Sequence, residues 1–133
     1  MNRIEHIGIA VKDLAEAEKR FEQLLGTKAY KKETVESEGV TTLFFKVGEA
    51  KIELLQATRE DSAIAKYIEK RGEGIHHIAF DVDSVAEKSS DLTDQGFSVL
   101  NEKPKTGADG KIINFLHPKS ANGVLVELCQ DKE

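Results

Sequence analysis

Two short stretches, "EHIGIAV" at residues 5–11 and "GIHHIAF" at residues 74–80, decide how this chain is read. Residues 4–17, IEHIGIAVKDLAEA, lie over residues 75–88, IHHIAFDVDSVAEK, at one constant offset of 71. The overlay matches Ile4 with Ile75, His6 with His77, Ile7 with Ile78, Val11 with Val82, Ala15 with Ala86 and Glu16 with Glu87. A second match, at an offset of 74, joins KIELL at 51–55 to LVELC at 125–129. The chain therefore reads as two copies of one module. Neighbouring residues on a strand point to opposite faces, so at most one histidine of the 76–77 pair can join a given site. The repeat pairs His77 with His6 and leaves His76 opposite Glu5.

Each copy opens with an alternating strand. Ile7, Ile9 and Val11 oppose His6, Gly8 and Ala10, and Ile78, Phe80 and Val82 oppose His77, Ala79 and Asp81. A helix follows each strand. Asp13 with Glu16 makes a capping box before the stripe Leu14, Ala17, Phe21, Leu24 and Leu25, which ends at Gly26; Ser84 with Glu87 repeats the box. Strands are expected at 29–35, 40–47 and 51–56, then at 97–101, 111–117 and 123–129. Ile64, Tyr67, Ile68 and Arg71 before Gly72 predict a connecting helix. The order is βαβββ, linker helix, βαβββ, with modules at 1–58 and 74–133 and the linker at 59–73.

Bulk properties narrow the partners. The chain has 133 residues, 39% hydrophobic and 32% charged, which suits a single folded domain rather than disorder. A net charge of −5 argues against nucleic-acid binding, and no apolar run approaches a membrane span. One cysteine, Cys129, makes no internal disulfide, and a cytoplasmic location is expected. Two readings stand for Cys129, a thiol lining a cleft and a small buried hydrophobe.

The repeat selects four polar residues: His6 and His77 near the module starts, Glu53 and Glu127 near the module ends. Carboxylates in strands this apolar need a partner. Two imidazoles and two carboxylates converging about a pseudo-twofold axis would suit a divalent cation with two open positions for a chelating substrate.

"HIGIAV" at 6–11, "IELL" at 52–55, "GEGIHHIAF" at 72–80 and "NFLHPKSANGVLVEL" at 114–128 together resemble the vicinal oxygen chelate superfamily, and within it the methylmalonyl-CoA epimerase family. The resemblance implies an α+β fold of two βαβββ modules paired into one U-shaped mixed sheet around a metal site. It implies His6, Glu53, His77 and Glu127 as ligands of one divalent ion per chain, of the Co²⁺, Mn²⁺, Ni²⁺ or Zn²⁺ kind. The implied activity inverts C2 of an acyl-CoA substrate, with Glu127 and Glu53 as acid/base groups and a homodimer as the assembly. Asn114, Lys119 and Ser120 are the implied substrate contacts. Some of these epimerases carry an acid/base glutamate three residues after the glycine of a segment like "ESEGV"; here Thr42 holds that position and is expected to contact substrate. Lys103, Lys105, Lys111 and Lys119 outnumber Glu102 and Asp109 between residues 101 and 119, so this loop is expected either to hold phosphates or to be a solvated hairpin. A glyoxalase I-type isomerase and a non-catalytic small-molecule binder of the same fold are the alternatives. His76 and His117 are assigned to no metal.

Overall fold

The computed structural model describes residues 1–132. The fold class is α+β, and the elements follow the repeated order expected from the sequence. The chain divides into two compact units, one of His6–His76 and one in which Met1–Glu5 joins the segment from His77 onward.

In the first unit, β1 (Arg3–Ala10) leads to α1 (Leu14–Leu25), β2 (Lys31–Val35), β3 (Val40–Val47), β4 (Ala50–Ala57) and α2 (Ala63–Arg71). The sheet order is β2-β3-β4-β1; β3 is antiparallel to both neighbours, and β1 runs parallel to β4. Helix α1 lies over one face, where Val11, Leu14, Leu43, Phe45 and Leu54 are buried against Ala17, Phe21 and Leu25. On the other side, Ile64 of α2 is buried with Ala10, Val40 and Leu55. Burying each such side chain contributes roughly 1.5–3 kcal/mol before entropy is charged against it.

The second unit repeats the plan with β5 (Gly74–Asp81), α3 (Val85–Asp94), β6 (Lys105–Thr106), β7 (Lys111–Leu116) and β8 (Val126–Asp131). Its order is β5-β8-β7-β6, with β5 parallel to β8. Val82, Val85, Leu92, Leu116 and Leu128 form the core beneath α3, and Ala79, Ile113 and Cys129 form a cluster on the other face. These packing units do not follow the module limits. The amide N–H of Asn2 donates to the Asp81 carbonyl at 2.9 Å, and its side chain donates to Asp81 and Asp83, so the first residues pack with the second unit. No helix among the described residues is long and apolar enough to cross a membrane.

The expected strand at 97–101 does not form. Val99 makes only one isolated bridge, to Leu116. The Leu100 N–H donates to the Phe115 carbonyl at 2.8 Å and pairing resumes at Lys105 opposite Ile113, so residues 101–104 bulge away from β7. Pro104 offers no N–H to a ladder, which is consistent with the break. The last strand begins at Val126 rather than 123, because Asn122 (φ 57°) and Gly123 (φ 88°) end the turn at Pro118–Ala121 in left-handed conformations.

The starts of α1 and α3 are capped twice over and that of α2 once. Asp13, Ser62 and Ser84 each accept an N–H three residues on, as the capping boxes of α1 and α3 predicted. In addition, Gln56 Oε1 accepts the Leu14 N–H at 2.5 Å, and Gln130 Oε1 accepts the Val85 N–H at 2.6 Å. Gln56 and Gln130 stand at the same 74-residue offset as Glu53 and Glu127. The last strand of each module thus closes the N-terminus of that module's helix. Replacing either glutamine by alanine is expected to cost about 1 kcal/mol, read as a lower urea midpoint, and the double variant should lose the sum.

Candidate functional site: paired histidine and glutamate side chains

Parallel pairing of the first and last strands of a module is what brings each histidine to its glutamate. In the first unit, β1 and β4 are registered with Gly8 beside Glu53 and Ala10 beside Leu55. His6 shares the face of Gly8 and Ala10, whose small side chains leave it room, and its Nδ1 lies 2.9 Å from Glu53 Oε2. Both residues are only 4% exposed. Phe44 registers with Glu53 and Thr42 with Leu55, so both stand on this face, and both are fully buried. The Thr42 hydroxyl is buried without a hydrogen-bond partner.

The second unit builds the same arrangement. Ala79 registers with Glu127 and Phe115 with Glu127. His77 Nε2 lies 3.2 Å from Glu127 Oε1, again with both residues buried. The Phe115 ring meets His77 edge-on, 6.0 Å between centroids at 86°. A carboxylate and an imidazole held together away from water need a proton or a cation between them. Imidazole nitrogen with carboxylate oxygen is a donor set that fits a borderline divalent ion, and the orphaned Thr42 hydroxyl beside one pair is a polar group lacking its partner.

A glycine turn precedes Thr42. Gly39 (φ 64°) ends the Glu36–Glu38 turn, and a Cβ there would stand 2.8 Å from the Arg59 guanidinium carbon. The Arg59 guanidinium hydrogen-bonds Asp61 and holds that exposed carboxyl below its ordinary range.

Other expected site residues fall elsewhere. Asn114 is fully buried but registers with Leu128, on the face opposite Glu127. Its carbonyl oxygen accepts the Asn101 N–H at 3.2 Å and its amide donates to the Asn101 carbonyl at 2.9 Å. There the side chain braces the bulge through the Asn101 backbone. Lys111 is also withdrawn from the proposed phosphate loop, being buried 3.9 Å from Glu5 and paired with Asp131. Lys119 and Ser120 lie in the turn after His117, whose Nδ1 accepts the Lys119 N–H at 3.1 Å and whose carbonyl accepts the Ser120 hydroxyl at 2.8 Å. His76 stacks its ring edge-on to Tyr67 at 5.0 Å. Cys129 is fully buried with Ala79 and Ile113 and is the small hydrophobe rather than a lining thiol.

Phe44 and Phe115 escaped the sequence reading. Each registers with its unit's glutamate, and each has a lysine over its ring, Lys31 at 5.6 Å and Lys105 at 6.0 Å. The signal was present in the 71-residue offset between the two phenylalanines and the 74-residue offset between the two lysines.

Residues 5–115 match the glyoxalase/bleomycin resistance protein/dioxygenase superfamily. The chain belongs to that superfamily. It is 40% identical to the ethylmalonyl-CoA/methylmalonyl-CoA epimerase of Cereibacter sphaeroides, covering 98% of each. It is 38% identical to the mitochondrial methylmalonyl-CoA epimerase of Homo sapiens, covering 98% of this chain and 74% of the relative. A variant of the Streptomyces coelicolor methylmalonyl-CoA epimerase, solved with 2-nitronate-propionyl-CoA, superposes with a TM-score of 0.95 at 39% identity, covering 100% of this chain and 99% of that one.

Two stability outcomes follow from this geometry. Asn114→Ala should lose roughly 1–3 kcal/mol in urea denaturation by stranding the Asn101 backbone groups. Thr42→Val, which removes a buried hydroxyl that bonds to nothing, should leave the ligand-free protein as stable or more stable by up to about 1 kcal/mol; a clear loss would show that the hydroxyl is satisfied.

Proposed function

We propose that the chain is a methylmalonyl-CoA epimerase, interconverting the two configurations at C2. The observation that carries this reading is a buried histidine–glutamate pair, present once in each unit, in a chain whose full-length relatives are epimerases of this substrate.

Four residues, His6, Glu53, His77 and Glu127, are the proposed ligands of one divalent cation per chain, supported by the repeat and by the donor chemistry of each pair. When bound, such an ion supplies Lewis acidity toward the oxygens flanking C2. The C2 proton lies between a thioester and a carboxylate, which makes it removable by a carboxylate base. Glu127 takes the proton from one face, and the electron pair left on C2 delocalises onto the thioester carbonyl. Glu53, which carries a proton at the start of this direction of the reaction, gives it to the opposite face, which inverts the centre and leaves Glu127 as the protonated member of the pair. His77 and His6 hold these carboxylates in place through the 3.2 and 2.9 Å contacts. Thr42 stands where some relatives carry a glutamate; its hydroxyl is a proposed hydrogen-bond donor to the substrate, and Lys119 and Ser120 are proposed contacts on resemblance alone. A homodimer in the cytoplasm completes the proposal.

Proton NMR of methylmalonyl-CoA in deuterated water, with protein loaded with Co²⁺ or Mn²⁺, should show loss of the C2 proton signal. Glu127→Gln should slow that exchange about 100-fold or more. No exchange of this substrate, combined with turnover of the hemithioacetal of glutathione and methylglyoxal, would instead favour a glyoxalase I-type isomerase. Metal analysis separates the adjacent histidines: His77→Ala should lose bound Co²⁺ and the rise in melting temperature it brings, while His76→Ala should keep both. Equal loss in both variants would defeat the repeat argument.

A further inference from the structure

Phe115 and Ala79 register with the same residue, Glu127, from the two strands that flank β8. Neighbouring strands lie about 4.8 Å apart, so β7 and β5 stand roughly 10 Å from one another. The rings of Phe115 and of His77, two residues before Ala79 on β5, nevertheless have centroids only 6.0 Å apart at 86°. The two side chains therefore lean toward each other over β8, where the Glu127 carboxylate lies 3.2 Å from His77 Nε2. Phe115 is itself held, packed against the buried cluster of Ala79, Ile113 and Cys129.

An imidazole needs such a neighbour. The torsion that turns its plane about the Cβ–Cγ bond is broad and roughly two-fold, so the backbone of β5 does not fix where Nε2 points. Ala79, the next residue on that face, ends at a methyl group and offers no restraint. An aromatic ring packed edge-on does, because turning the imidazole away from the perpendicular drives it into the phenyl ring. Phe115 holds beside Glu127 the place that Phe44 holds beside Glu53, at the same 71-residue offset that relates the two histidines.

We propose that Phe115 is the positioning residue of the second unit's pair: its ring fixes the imidazole plane of His77 and so keeps Nε2 against the Glu127 carboxylate. This rests on the epimerase reading above, in which His77 and Glu127 are cation ligands and Glu127 moves the C2 proton. Phe115 offers neither a donor atom to a cation nor an acid/base group, so it acts only through the side chains it flanks. Removing a group that orients a metal ligand changes metal affinity about 10- to 100-fold.

Co²⁺ titration calorimetry, the visible absorption spectrum of the Co²⁺ form and steady-state kinetics on methylmalonyl-CoA are to be compared for wild type and four variants. Phe115→Leu and Phe115→Met remove the flat ring and keep an apolar side chain. Both should bind Co²⁺ about tenfold more weakly, alter its absorption spectrum and lower kcat about tenfold, with KM changed less than about threefold. Phe115→Tyr keeps the ring and should stay within about threefold of wild type in affinity and kcat. Phe97 packs beneath α3 in the core, so Phe97→Leu should lower the melting temperature and leave Co²⁺ affinity and spectrum unchanged. A wild-type affinity and spectrum in the Leu or the Met variant overturns the inference, as does an equal loss in Phe115→Tyr or Phe97→Leu. If Phe115→Leu does not fold, Phe115→Met decides. In each of these cases a wild type that binds Co²⁺ and turns over methylmalonyl-CoA leaves the epimerase reading standing. A wild type that fails to do so overturns that reading and the inference with it.

Discussion

The parallel pairing of the first and last strands within each module is the constraint on which the chemistry depends. Parallel neighbours cannot be joined by a hairpin, so a helix and further strands must intervene. Here α1, β2 and β3 fill the interval between β1 and β4, and α3, β6 and β7 fill that between β5 and β8. The crossover closes a long loop, and its entropy cost is met by the apolar cores beneath α1 and α3. Only when those cores form does a histidine from the start of a module reach the glutamate near its end.

Burial then gives those pairs their character. Each histidine and glutamate is no more than 6% exposed, and a carboxylate so withdrawn from water is costly unless something positive shares its site. Gly8, Ala10 and Ala79 keep the histidine faces uncrowded, while Phe44 and Phe115 wall the glutamates from the adjoining strand. A polar group is tolerated at such a place when a ligand completes it, and the unsatisfied Thr42 hydroxyl is the local sign of that incompleteness.

The two units differ where their loops differ. The first has a full-length strand β2 with a lysine and a glutamate side by side; the second has a bulge, braced by Asn114 on Asn101, and a two-residue β6. The repeated frame is thus preserved in the parallel strands and relaxed at the outer strands. Edge strands are where irregularity is least costly, since one side has no ladder to break.

By itself the sequence determined the module repeat, the helix starts and which histidine of the 76–77 pair lies on the face of its glutamate. Those follow from local rules, namely alternation on a strand, capping boxes and a constant offset. Tertiary structure decided what local rules cannot reach. Asn114 carries a motif's identity but faces away from Glu127, because the pairing of β7 with β8 sets Phe115 beside Glu127 and Asn114 beside Leu128 on the other face. Lys111 and Lys105 look alike in one basic loop. One is buried with Glu5 and Asp131, and the other lies over Phe115, because strand pairing gives each a different neighbour. The Gln56 and Gln130 caps likewise exist only once a module's last strand has reached its helix.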